Sequence, residues 1–170
     1  MEKTIDQISG SFPSEFEALL NSPLKFRLFL LKQLPAAYFS GVHLQSVNTE
    51  RCEVGIRYKW LTRNPFRSTY FACLSMAAEM STGILAMGNV YGRKPGVSLL
   101  VTAVEGNFFK KATGRTTFRC EEGGAIRQAV EDAVRLGQPQ TVRVLSSGYS
   151  EEGERVAEFF VTWSFRQKTL

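Results

Sequence analysis

Between Arg67 and Arg93 the chain carries a single charge, the carboxylate of Glu79. In "NPFRSTYFACLSMAAEMSTG", residues 64–83, no other charged side chain follows Arg67. A stretch this long and this poor in charge must be enclosed by something, either lipid or the rest of the fold. From Ser68 to Tyr91 it is long enough to span a bilayer. However, Glu79 sits near its centre, and Ser75, Ser81, Thr82 and Asn89 add polar groups, so insertion is costly. The flanking basic residues show no asymmetry that would orient a span. The reading is therefore a helix over 69–87 buried inside a soluble domain, with no membrane span.

The rest of the chain can supply that enclosure. A length of 170 residues suits one domain, 1–170, with a substantial core. Hydrophobic residues at 44% and charged residues at 22% exclude wholesale disorder. The net charge of +5 is dispersed, with only Arg93-Lys94 and Lys110-Lys111 adjacent, unlike the concentrated patch of a nucleic-acid binder. Cys52, Cys73 and Cys120 form no CxxC pair and have no histidine nearby, which argues for reduced cytoplasmic thiols against a disulfide framework or metal site. Met1-Glu2-Lys3 opens without the basic, then apolar, then small-residue progression of a signal peptide, so none is expected. No cofactor fingerprint, phosphate loop or nucleophile elbow is present.

Periodicity orders the elements. Ser14 and Glu17 have capping-box spacing, and Ser22-Pro23 reads as an N-cap followed by proline, predicting helices over 14–21 and 23–34. The second carries Leu24, Leu28 and Leu31 on one stripe, which most simply packs on its own domain; a membrane surface is the lesser alternative. Val42–Val47 and "CEVGIRYKW" read as paired strands, with Val54, Ile56, Tyr58 and Trp60 on one face. Two further strands follow the uncharged helix, "VSLLVTAVEGNFF" and "GRTTFRCEE". Ile126, Ala129, Val130 and Ala133 recur at helical spacing until Gly137 and Pro139, and "TVRVLSSGY" and "RVAEFFVTWSF" form a last hairpin. Hairpins with few helices predict an α+β fold, a curved antiparallel sheet around the central helix.

This layout resembles the hotdog-fold thioesterase superfamily, in particular its phenylacetyl-CoA thioesterase-like branch. The similarity runs from about Leu34 to Arg166. It rests on Asn64 before the central helix, Glu79 within it followed by Gly83, "NFFKKATG", and "SEEGERVAEFFVTWSF". The resemblance implies hydrolysis of an acyl-CoA thioester without a cofactor, in a homodimer or homotetramer whose sites use two subunits. Residues 1–34 are then a helical extension.

By the same resemblance Glu79 is the general base, and Asn64 orients the water or carbonyl from the subunit interface. Helix N-terminal amides around Phe71, Ala72 and Cys73 hold the thioester oxygen, next to Tyr70, while Ser75 and Thr82 support the carboxylate. Where catalytic members of the branch have His-Gly-Gly, this chain has Tyr70, Phe71 and Ala72. That departure keeps open a second function, binding of an acyl group or acyl-CoA without hydrolysis. From the residues alone, a buried glutamate that merely accepts hydrogen bonds is the competing account of Glu79. Asn64-Pro65 alone is a turn and helix start. The only histidine, His43, reads as structural.

Overall fold

The uncharged stretch is a helix, and a curved sheet wraps it. In a computed structural model, which describes residues 12–168, the elements are α1 (Ser14–Leu20), α2 (Pro23–Gln33), α3 (Pro35–Ser40), β1 (His43–Val47) and β2 (Cys52–Arg57). A 3-10 turn at Trp60–Thr62 then leads to α4 (Phe71–Val90), β3 (Val97–Phe108), β4 (Arg115–Cys120), α5 (Gly123–Leu136), β5 (Gln140–Ser150) and β6 (Arg155–Gln167). The six strands form one antiparallel sheet, in the order β1-β2-β4-β5-β6-β3. The helix α4 packs against all of these strands except β1, and against α5. This is the expected α+β hotdog arrangement. The reading of Met1-Glu2-Lys3 lies outside the described residues.

Local chemistry explains two of the helix boundaries directly. Ser22 accepts the Lys25 backbone N–H through Oγ at 3.4 Å, capping α2 as its sequence predicts. Gly137 ends α5 in the left-handed conformation, φ +64°. Ile126, Ala129, Val130 and Ala133 are buried on α5, and Ala157, Phe159, Val161, Trp163 and Phe165 on β6, each on the face its periodicity gave.

Five expectations are corrected. Ser14 does not cap α1: the N-cap is Pro13, and Glu17 reaches past it to accept the Phe12 N–H at 2.9 Å. The helix α3, started by Pro35, is additional, and α4 begins two residues later and ends three later than 69–87. The strand β2 stops at Arg57, because Thr62 Oγ1 donates to the Arg57 carbonyl (2.8 Å) and accepts the Lys59 N–H (2.9 Å). That turn throws Trp60 outward, 72% exposed. On α2 the inward residues are Phe26 and Leu30, so the stripe of Leu24, Leu28 and Leu31 faces away from the core.

One irregularity positions the site. In β3, Val101 pairs with Trp163 and Ala103 with Thr162, leaving Thr102 as an extra, bulged residue. Before the bulge the odd-numbered residues lie opposite the inward side chains of β6. After it, Val104, Gly106 and Phe108 lie opposite Val161, Phe159 and Ala157. Side chains directly opposite share a face, so Val104 and Phe108 point to the α4 side of the sheet. They are nevertheless 46% and 51% exposed.

Candidate active site

The polar side chains of α4 divide into two groups. Ser81 donates to the Ala78 carbonyl and shares a 2.8 Å hydrogen bond with Ser146 on β5. Thr82 donates to the Glu79 carbonyl at 2.9 Å and accepts the Trp163 indole N–H at 2.9 Å. Asn89 donates to the Leu85 carbonyl. The side chains of Glu79 and Ser75 make no hydrogen bond among the described residues. Burial without a partner pushes the Glu79 carboxyl above its ordinary range.

The surroundings of Glu79 follow from small neighbours. A Cβ on Gly83 would stand 3.0 Å from Glu79 Oε1 and 3.4 Å from the Trp163 ring. Glycine at this position therefore admits the carboxylate beside the indole, a close approach that no other residue permits without displacement. Toward the helix start, Ala72, Ser75, Met76 and Glu79 are all half-buried, whereas Cys73, Leu74, Ala77, Ala78 and Met80 are buried. Residues at these intervals share a helix face. Two turns of α4 thus expose a stripe of small or flexible side chains, closed at its far end by Trp163. The helix α4 also packs on β3 and β6, the strands that carry Val104, Phe108 and Trp163.

The near end of the stripe is the N-terminus of α4. Tyr70 is the N-cap and supplies no side-chain cap. Its carbonyl accepts the Cys73 and Leu74 N–H groups at 2.9 and 3.2 Å, so the Cys73 amide is occupied. The Phe71 and Ala72 amides bond to nothing among the described residues, as expected of a first helical turn. Ala72 and Glu79 lie about 10 Å apart along the helix axis, and a helical side chain leans toward the N-terminus. Contact with Gly83 nevertheless places the Glu79 carboxylate at the other end of the stripe from the two unpaired N–H donors, which carry the positive end of the helix dipole.

The remaining expected residues have other surroundings. Asn64 accepts the Phe66 and Ser68 N–H groups through Oδ1 at 2.9 and 3.2 Å, and Nδ2 donates to Ser68 Oγ at 3.1 Å. Its amide is fully engaged in pinning the loop that delivers Tyr70, which is the turn that Asn64-Pro65 predicts and not a helix start. Tyr70 and Phe71 are exposed and meet edge to face, 4.8 Å between ring centres. The Cys73 thiol is buried near Ser40 and Lys59, and burial pushes it up. The Thr82 hydroxyl holds Trp163 and the helix backbone, not the carboxylate. His43 lies over Gly55 in the sheet and bonds the Gly41 carbonyl at 3.1 Å.

Trp163, Val104 and Phe108 were not singled out from the sequence as part of the site. The alternation of β6 marked Trp163 as inward, but nothing local to β3 announces the bulge that turns Val104 and Phe108 to the same side.

A cavity of about 300 Å³ lies elsewhere, between the β3–β4 connection and the β5–β6 turn. Its three basic and three acidic side chains balance, with Lys110 paired to Glu154, Arg115 paired to Glu151, and Lys111 donating to the Phe66 carbonyl. Polar and self-neutralised, it offers no chemistry to match the Glu79 stripe.

Comparison with known proteins agrees with the architecture. The family model described as a domain of unknown function, DUF4442, matches residues 26–165. No curated protein matches the chain. Among solved structures, a Pseudomonas aeruginosa protein of unknown function, PA5026, called a probable thioesterase, is similar with a TM-score of 0.73. The match covers 86% of this chain and 97% of that one at 19% identity. The Chlorobaculum tepidum protein OLEI01261, of unknown function, gives 0.70 over 86% and 98% at 14% identity. The Haemophilus influenzae thioesterase HI1161 gives 0.62 over 86% and 91% at 14% identity. At these identities the likeness is one of fold.

Proposed function

The chain belongs to the DUF4442 family, and we propose that it is a cytoplasmic acyl-CoA thioesterase in which Glu79 is the general base. The observation that carries this reading is the unpaired, desolvated carboxylate at the end of an open stripe that begins at two unpaired backbone amides. A merely structural glutamate would be expected to hold partners, as Ser81, Thr82 and Asn89 do. The thioester lies along the stripe with its carbonyl oxygen toward the Phe71 and Ala72 N–H groups. These donors stabilise the oxyanion as it forms. Glu79 takes a proton from a water that attacks the carbonyl carbon, and the thiolate of the coenzyme leaves. Ser75 stands beside that water. Asn64 acts by fixing the loop that ends at Tyr70. Thioesterase names among proteins of the same fold support this choice of substrate.

The site is completed by a second copy of the chain. The sheet ends at β3, whose outer backbone edge is unpaired among the described residues and whose inward Val104 and Phe108 are half-exposed. A two-fold pairing of β3 with its counterpart satisfies that edge and closes the stripe.

A second reading, binding without hydrolysis, is favoured by one feature: Tyr70, Phe71 and Ala72 bring side chains to the helix start, where the thioesterase branch that the sequence resembles has His-Gly-Gly. Hydrolysis of short, long and aromatic acyl-CoAs by wild type and Glu79→Gln decides between them. Turnover that Glu79→Gln abolishes supports the thioesterase. Saturable binding with no turnover replaces it with the binding protein.

A further inference from the structure

The outward stripe of α2 is left unexplained by the fold. Phe26 and Leu30 already dock this helix on the core, yet Leu24 at 70% exposure, Leu28 and Leu31 project on the other side. Their flanking neighbours Lys25, Arg27 and Lys32 are all basic and exposed. Side-chain contacts link this helix to α3 and to the Trp60–Thr62 turn. The Arg27 guanidinium lies 5.3 Å over the Tyr38 ring, and Tyr38 meets the exposed Phe39 edge to face. Lys59 Nζ donates to the Phe39 carbonyl at 3.1 Å, next to the exposed Trp60, which Arg63 overlies at 6.0 Å. Among the described residues, ten of the sixteen exposed large hydrophobics fall between Leu24 and Phe71 in the sequence, and Leu24, Leu28, Leu31, Phe39 and Trp60 of these belong to α2 or to the contacts just traced.

Charge follows the same segment. Although the basic residues are dispersed along the sequence, residues 18–78 hold eight of them against two acids, +6 where the whole chain is +5. Both acids are paired with arginines from elsewhere, Glu50 with Arg127 and Glu53 with Arg119. Leucines and a tryptophan ringed by lysine and arginine, with no unpaired acid among the described residues of the segment, match the chemistry of an anionic interface.

We propose that α2, α3 and the Trp60–Thr62 turn form a face that docks on the surface of an anionic lipid bilayer. The leucines and Trp60 enter the boundary between headgroups and acyl chains, and the lysines and arginines contact lipid phosphates. The occupant is not a second copy, because two such faces repel each other. Leucines exposed on the outer side of α2 beside Lys25, Arg27 and Lys32 suit a bilayer better than an acidic protein, which would engage the charges and leave the leucines uncovered. The proposal stands independently of the chemistry at Glu79.

Vesicle flotation of the full chain tests it, using equal parts phosphatidylglycerol and phosphatidylcholine against phosphatidylcholine alone. Wild type floats with the anionic vesicles and not with the neutral ones. Replacing Lys25, Arg27 and Lys32 together by Gln weakens binding by roughly a hundredfold, since each basic side chain at such a surface contributes about fivefold. Replacing Leu24, Leu28 and Leu31 by Ser abolishes flotation, while Leu136→Ser, an exposed leucine on α5, leaves it unchanged. Circular dichroism and light scattering without lipid accompany each variant. Four results overturn the proposal: no flotation of wild type, binding of a folded leucine variant like wild type, a changed oligomeric state in that variant, or tighter binding to acidic polypeptide than to vesicles.

Discussion

At the scale of single residues, Glu79 combines two demands that pull its protonation in opposite directions. Burial favours the neutral acid, whereas a general base must be ionised to act. Because the folded protein holds the proton more tightly than the unfolded chain, the contribution of Glu79 to stability is whole below the ordinary value of 4.5. It declines as pH rises through the raised value. Glu79→Gln cannot ionise, so it should be more stable than wild type at neutral pH, with the gap closing as pH falls toward 4.5. Thermal melts across that range measure this, and a less stable Gln variant at neutral pH would mean the carboxylate has a partner. The same substitution should lower thioesterase turnover by ~10²–10⁴, and the wild-type rate should rise with pH through a value above the ordinary carboxylate range. Gly83→Ala separates stability from activity: alanine in a helix gains up to about 1 kcal/mol, but its methyl displaces the carboxylate. Turnover should fall while the melting temperature holds or rises.

At the scale of elements, what was legible in the sequence was whatever one element decides for itself. The faces of α5 and β6 follow from their own periods, and Glu79 stood out because isolation in an uncharged helix is a local property. Faces that depend on contacts distant in sequence were not legible. The helix α2 has apolar residues on two sides, and spacing alone does not say whether Phe26 and Leu30 or Leu24, Leu28 and Leu31 turn inward. Thr102 looks like any strand residue, and only its pairing with β6 makes it a bulge. Trp60 continues the alternation of β2 on paper, but the hydroxyl of Thr62 ends the strand first. The open stripe needed Trp163, 84 positions from Glu79 in the numbering, to give it an end. Two substitutions test the assignment of α2. Phe26→Ala should destabilise by roughly 3–5 kcal/mol as a buried aromatic, and Leu28→Ala by less than about 0.5 kcal/mol as a surface change. Comparable losses in denaturant titrations would mean both stripes are packed.

At the scale of the whole molecule, one chain has three unfinished features: the unpaired backbone edge of β3, the half-exposed Val104 and Phe108 on the α4 side of the sheet, and the half-open stripe of α4. A single explanation covers them if β3 pairs across a two-fold axis. Each copy then supplies apolar surface to the other's stripe and water is excluded from around Glu79. Exclusion of water is also what oxyanion stabilisation by two backbone amides requires, because such donors are far weaker in bulk solvent. Assembly and activity should therefore be lost together. Light scattering should give about twice the chain mass of 19.1 kDa for wild type, and the mass of one chain for Val104→Lys, whose charge cannot be buried in the pairing. Val104 is already 46% exposed in the single chain, so the variant should remain folded, and its turnover should drop to background. Leu100→Ser, on the outward face before the bulge, should do neither. Dilution provides the same test without a mutation: specific activity of wild type should decline in parallel with the dimer fraction. A folded Val104→Lys monomer that hydrolyses thioesters at the wild-type rate would mean that one chain holds the complete site.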